Sequence, residues 1–343
     1  MNKFKKYLAG AVCILLLALA GGLYWYFEVY RTTPKYALER IEYSLEHHDK
    51  ALFYEYVDTG AVLDKAYDAI LKSLMDSDAT MSEETKMAAL DAVKILKAPV
   101  LQGFQKAIDA YVEQGSWDAI ASHNQGNDAV FDVSEIIAQS GIKDTVFRGI
   151  DEIINTDDGE AVALTKVYNN ELEREFIFEV VLHNTDKKWK VVEIRNFEEF
   201  LISIGKMRRE RIQNYIEESR KIWSIHEETM READFDFQRI IGAKSLGKQG
   251  TRGELKALMT DRVAADWKER KSELEALSVP KEVMVLHRLR LKIADLHIEY
   301  AEGYANWLDD KKAGTLRVAE DKIKQAKTLE HEAALLENRI VAK

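Results

Sequence analysis

The chain opens on an uninterrupted apolar run, Leu8–Phe27 (LAGAVCILLLALAGGLYWYF), and afterwards shifts between three-four and two-residue periodicities. The run holds no charged residue, and at ~1.5 Å per helical residue it is long enough to cross a ~30 Å hydrocarbon layer. Lys3, Lys5 and Lys6 precede it, and Tyr24, Trp25 and Tyr26 close it as an interfacial aromatic belt would. The pattern predicts a transmembrane anchor at 8–27 behind a cytoplasmic tail at 1–7. The alternative is a cleaved signal peptide with Ala18-Leu19-Ala20 as its cleavage site. Apolar and aromatic residues continue past Ala20, which favours the anchor. Positive charge is denser before the run than after it, where Arg31, Lys35 and Arg40 follow. The expectation is therefore a single-pass membrane protein, N-terminus cytoplasmic and body extracytoplasmic, with the lipid bilayer as partner through Leu8–Phe27.

Past Thr32-Thr33-Pro34 the period becomes helical: Tyr36, Leu38, Ile41 and Leu45, then Ala51–Tyr56, then Val62, Ala66, Ile70 and Leu74. Ser82-Glu83-Glu84 opens a further helix, and Pro99 is expected to break or bend it before Val100–Tyr111. After a turn signal at Gln125-Gly126-Asn127 comes a short helix over Val133–Gln139. Four strand-like runs follow at 146–154, 161–168, 174–183 and 188–195, joined by Asp157-Asp158-Gly159, Asn169-Asn170 and Asn184-Thr185-Asp186. Short polar turns predict an antiparallel meander, because parallel strands need long crossovers. From Phe197 the period is helical again. Leu286, Leu289, Ile293, Leu296, Tyr300, Tyr304 and Leu308 form one seam, and Ala319, Ile323, Ala326, Ala333, Leu336 and Ile340 form another. The connector Asp309-Asp310-Lys311-Lys312 predicts that these two helices pair antiparallel.

Thr33-Pro34-Lys35-Tyr36-Ala37-Leu38, Asp49 and Tyr56-Val57-Asp58 resemble the start of a bacterial family catalogued as domain of unknown function 2939. That resemblance implies a membrane-anchored envelope protein and carries no activity. Helices followed by an antiparallel sheet ending in a W-x-V-V-x-x-I strand are similar, at fold level, to the cystatin-like cones of the nuclear-transport-factor-two superfamily. Such cones enclose a pocket, and the carboxylates or histidine that would line it here are Asp151, Glu175, Glu179, His183 and Glu193. Each also reads as a solvent-facing strand residue.

Charge changes the picture near residue 205. Of the 343 residues, positions 28–204 carry 18 Lys+Arg against 34 Asp+Glu, and positions 205–343 carry 28 against 25. The shift predicts a boundary between a 28–204 helix-plus-sheet domain and a 205–343 helical domain with a flexible linker at 242–253. The acidic balance argues against nucleic acid as a partner. The one cysteine, Cys13, leaves the body without disulfides. Lys206, Arg208, Arg209 and Arg211 form a basic turn that suits solvent better than anionic lipid. Gly242-x4-Gly247-Lys248 has phosphate-loop spacing, but Gln249 stands where a Ser or Thr would hold magnesium. His47-His48-Asp49 is a poor metal set, since adjacent helical side chains diverge by about 100°. His226-Glu227 and His331-Glu332 lack the second histidine of a zinc helix, and His287 and His297 lack the di-iron spacing.

The sequence thus predicts an α+β protein: an N-terminal transmembrane helix, helices with a four-stranded antiparallel cone-like sheet, then an antiparallel helical bundle or hairpin. No catalytic, cofactor-binding or metal residue and no cofactor is assigned. The leading expectation is a non-catalytic interaction or scaffolding module of the cell envelope with a protein partner. The alternatives are a small-molecule binder or enzyme using the cone's pocket, and a periplasmic adaptor-like component of a transport assembly.

Overall fold

The computed structural model describes residues 15–77, 83–117, 133–156 and 159–342. The expected tail at 1–7, Ser82, the Gln125-Gly126-Asn127 turn and Asp157-Asp158 lie outside them. The chain divides into two compact units, Met1–Gly205 and Lys206–Lys343.

The anchor is the main correction. Residues 15–24 form a helix, α1, which passes into a π-helical turn at Trp25–Val29 and a 3-10 turn at Tyr30–Thr32. Leu8–Ile14 lie outside the described residues. Among the described residues no helix is long and apolar enough to cross a membrane. This overturns the expected transmembrane helix and the expected single-pass membrane location.

In the first unit, α2 (Pro34–Glu46) starts where Thr33 Oγ1 accepts from the Tyr36 N–H, with Pro34 in the first turn, where its missing N–H costs nothing. His48, at φ 57°, reverses the chain, and Asp49 Oδ1 caps α3 (Lys50–Tyr56) through the Leu52 N–H. Tyr56-Val57-Asp58 then does three jobs. Tyr56 is buried, Val57 bridges to Val191, and Asp58 Oδ1 accepts from the Ala61 N–H to open α4 (Thr59–Ser77). Of the break or bend expected at Pro99, the break is absent: α5 (Glu83–Gln114) runs through Pro99 as one helix. α6 (Val133–Ser140) follows.

The sheet is a four-stranded antiparallel meander, β1 (Thr145–Asn155), β2 (Glu160–Asn169), β3 (Arg174–Thr185) and β4 (Lys188–Ile194), in spatial order β1-β2-β3-β4. β1 is bulged at two places, one beside Gly149, whose φ of 144° suits only glycine. Helices α2, α3 and α4 pack against β4. Their shared core joins Tyr36, Ala37, Tyr56 and Val57 to Ala161, Leu182, Trp189 and Val191. Phe176 and Phe178 meet Phe200 edge-on, in the first turns of the helix that follows the sheet.

That helix, α7 (Phe197–Ala243), leads into the second unit. α8 (Gln249–Ala257), a π-helical segment (Leu258–Ala264) and α9 (Ala265–Glu275) form one continuous rod, followed by α10 (Met284–Asp310) and α11 (Ala313–Val341). The glycine-rich stretch is therefore helical from Gln249 on, not a flexible linker throughout 242–253. Leu255, fully buried, ties it to the core, and Arg252 Nη1 holds the Leu246 and Gly247 carbonyls of the turn before it.

Cross-helix ion pairs give the helix directions in this unit. Lys256–Asp309, Lys268–Glu302 and Lys271–Asp295 set the α8–α9 rod antiparallel to α10. His297–Glu330 and Glu299–Lys322 do the same for α10 and α11. The π segment has a packing cause. Leu255, Met259, Val263 and Trp267 are all buried at successive four-residue steps. Each such step leads an α-helix by about 40°, and the wider π turn absorbs the drift.

Candidate functional site

The sheet does not gather the candidate carboxylates. Asp151 pairs with Lys166 at 2.7 Å, His183 Nε2 lies 3.4 Å from Glu160, and Lys65 reaches Glu193. Glu175 is exposed, and Glu179 is half-buried. Arg195 also holds Glu160, at 2.7 Å, which keeps that carboxyl below its ordinary range. His47 stacks on Tyr43, while His48 Nδ1 meets the Val112 carbonyl at 2.9 Å, so the two rings serve separate partners. Gly247 and Lys248 form a turn between two helices, where no strand feeds a phosphate loop. Among the described residues no group of three or more His, Cys, Asp or Glu converges on a metal position.

The dense polar chemistry is in the helical unit, at seam positions. α7 places Tyr215, Ser219, Ile222 and His226 at four-three-four spacing, all buried. The same spacing gives Val263, Trp267, Arg270 and Leu274 on the second rod, Leu286, Arg290, Ile293 and His297 on α10, and Ala326, Glu330, Ala333 and Glu337 on α11. Each helix thus inserts polar side chains into an otherwise apolar seam.

Two clusters result. In the first, His226 Nδ1 lies 2.7 Å from Asp266 Oδ1 and Nε2 lies 3.1 Å from Glu273 Oε2. Arg270 donates to Asp266 Oδ2 at 2.8 Å and to the His226 carbonyl at 3.3 Å. Its guanidinium lies 4.0 Å from the centre of the Trp267 ring. His297 stacks on that ring too and reaches Glu330 at 2.7 Å. Burial works against a charged His226 ring, but the bonds to Asp266 and Glu273 outweigh it and raise the pKa. Burial draws Arg270 down from its ordinary value, and Asp266 opposes this. Among the described residues Trp267 Nε1 and Arg270 Nε, both buried, have no hydrogen-bond partner.

In the second cluster Arg290 Nη1 donates to Ser219 Oγ at 2.5 Å and Nη2 to Glu337. Arg220 Nε holds the other Glu337 oxygen at 2.6 Å. Tyr215 OH lies 3.3 Å from His287 Nδ1. Burial, and then the Arg290 charge, hold the His287 pKa below its ordinary value. A cleft of about 240 Å³ opens here between Arg220 and Trp223 of α7, Arg290 of α10, and Glu330, Ala333 and Glu337 of α11.

The chemistry of this arrangement is closed on itself. Ser219 Oγ donates to the Ile216 carbonyl while accepting from Arg290, so no base takes its proton. His226 has a carboxylate on each nitrogen and none left to act as a base. Both carboxylates of the cleft are engaged, Glu330 by His297 and Glu337 by two arginines. Sequence reasoning read His226, His287 and His297 only as failed metal motifs, and it missed Asp266, Arg270, Glu273, Arg290, Glu330 and Glu337. The signal was present: charged residues at the four-three steps of an apolar seam do not face solvent.

No family model matches the chain, and no curated protein or solved structure does so either.

Proposed function

We propose that this protein is a non-catalytic interaction or scaffolding module with a protein partner, its helical unit held in register by buried charge pairs. The observation that carries the reading is the pairing of those charges with one another: each of His226, Asp266, Arg270, Arg290 and Glu337 is bonded to another member of the unit. A reactive site would keep a nucleophile or base free toward its cleft. Buried polar residues at seam positions are best attested as devices that fix helix register. Phe235, at 69% exposure, and Ile225, at 58%, are apolar side chains on the outside of α7 and serve as probe positions.

The test combines genetics and crosslinking. In cells lacking the protein, R220Q and E330Q, each shown to keep parental helicity, should restore the parental phenotype. A photoreactive residue at 235 or 225 should give one recurrent adduct with a different protein. A folded R220Q or E330Q that fails to restore, together with no such adduct, would assign the cleft a chemical role instead.

A further inference from the structure

We propose that His226 is a proton-controlled latch: doubly protonated, it ties α7 to two turns of α9 through Asp266 and Glu273, and loss of one proton frees the Glu273 end. Asp266 and Glu273 are seven residues apart on α9, two turns or ~10.5 Å along its axis, and one imidazole bridges them. A neutral imidazole has one N–H and one lone pair. With carboxylate oxygens at 2.7 Å and 3.1 Å on its two nitrogens, the neutral ring must point its lone pair at one of them.

Burial decides which one. The Asp266 side chain is 5% exposed and is held on its other oxygen by Arg270, whereas the Glu273 side chain is 40% exposed. Asp266 cannot leave without stranding a buried arginine, a loss of the size of a broken buried pair. Glu273 can turn to water. The remaining proton therefore stays on Nδ1, and the Nε2–Glu273 tie is the one that opens.

The surrounding charges favour the protonated, closed latch. From α9, His226 faces Asp266, Arg270 and Glu273. Behind the Trp267 ring lie His297 of α10 and its partner Glu330 of α11. Protonated, the quartet His226, Asp266, Arg270 and Glu273 is electrically neutral; deprotonated, it carries a buried negative charge. The two bonds outweigh burial and hold the proton above the ordinary histidine value of 6.5. The latch is shut below that range and opens as pH rises through the raised pKa, loosening the last turns of α9 from α7.

The experiment is hydrogen exchange on the full chain from pH 5.5 to 9, corrected for intrinsic exchange, read in peptides spanning 219–230 and 265–277. Nitrogen-15 NMR of the His226 ring is recorded in parallel. The parent should lose protection in both segments on the alkaline side, about tenfold for each unit by which the proton affinity is raised. E273Q keeps an acceptor without its charge, so its midpoint should move to lower pH. H226Q should abolish the transition. A transition unchanged in E273Q, or a His226 ring that titrates at or below 6.5 in the parent, overturns the latch, and the ring measurement decides even if H226Q does not fold.

Discussion

Trp267 and His297 stack face to face between α9 and α10, with ring centroids 3.9 Å apart and planes within 6° of parallel. The Arg270 guanidinium lies 4.0 Å from the same ring centre, so it occupies the other face. One indole thereby separates a guanidinium from an imidazole and joins α9 to α10. Trp267→Ala should cost ~3–5 kcal/mol, the usual range for a truncated core aromatic. Trp267→Phe should cost clearly less, because it also removes an indole N–H that has no partner. Urea unfolding of the two variants checks the order, and equal losses would contradict it.

The two buried histidines push stability in opposite directions with pH. His226 has a raised pKa, so the folded state holds more protons than the unfolded state between 6.5 and that raised value. Its contribution is complete below 6.5 and is lost as pH rises through the folded pKa. His287 has a lowered pKa, so its contribution is complete above 6.5 and is lost as pH falls through the folded pKa. These two groups together give a maximum near 6.5. Denaturation midpoints across pH 5 to 9 should show the alkaline limb shrink in H226Q and the acidic limb shrink in H287F.

In the first unit, burial and then the hydrogen bond to Asp109 push the Tyr54 phenol up to about 12. Gln105 donates to the same hydroxyl, and Lys50 holds Asp109 at 3.0 Å. Ultraviolet titration of tyrosinate should place Tyr54 among the last to ionise, Y54F should remove that step, and D109N should move it down. A Tyr54 step near 10 in the parent would contradict the network.

Two glycines in the helical unit should respond in opposite ways. A Cβ on Gly303 would come within 3.1 Å of the Ala319 Cβ, where α10 and α11 touch through small residues. Gly314, in the first turn of α11, has nothing within 4 Å of its missing Cβ. Gly303→Val should lower stability by ~1–3 kcal/mol, and Gly314→Ala should raise it by up to ~1 kcal/mol. Thermal melts of the two variants read both signs.

The strands were legible because alternation such as Phe176, Phe178 and Val180 against Glu175 and Glu179 has no helical equivalent. The helical seams were legible for the same reason, through Leu286, Ile293 and Tyr300. The apolar run Leu8–Phe27 reads as one helix by hydropathy and length, which do not register the change to π and 3-10 turns at Trp25–Thr32. The buried charges were hidden by a different bias. Asp266, Arg270 and Glu273 sit among Lys268, Glu269 and Lys271, so composition does not separate the buried charges from the solvated ones. Their seam spacing, and the four-residue steps from Leu255 to Trp267, carried the opposite message.

The central claim is that the buried charges of the helical unit exist for one another. Its most direct test is the unfolding free energy, in urea at pH 6.5, of Asp266→Leu alone and of the combined variant D266L/R270M/H226L. The single change strands Arg270 and His226 in the core and should cost ~3–5 kcal/mol. The combined change replaces the charged cluster with apolar groups of similar volume and should recover to within ~1 kcal/mol of the parent, or exceed it. A combined variant that loses as much as the single one would contradict the account.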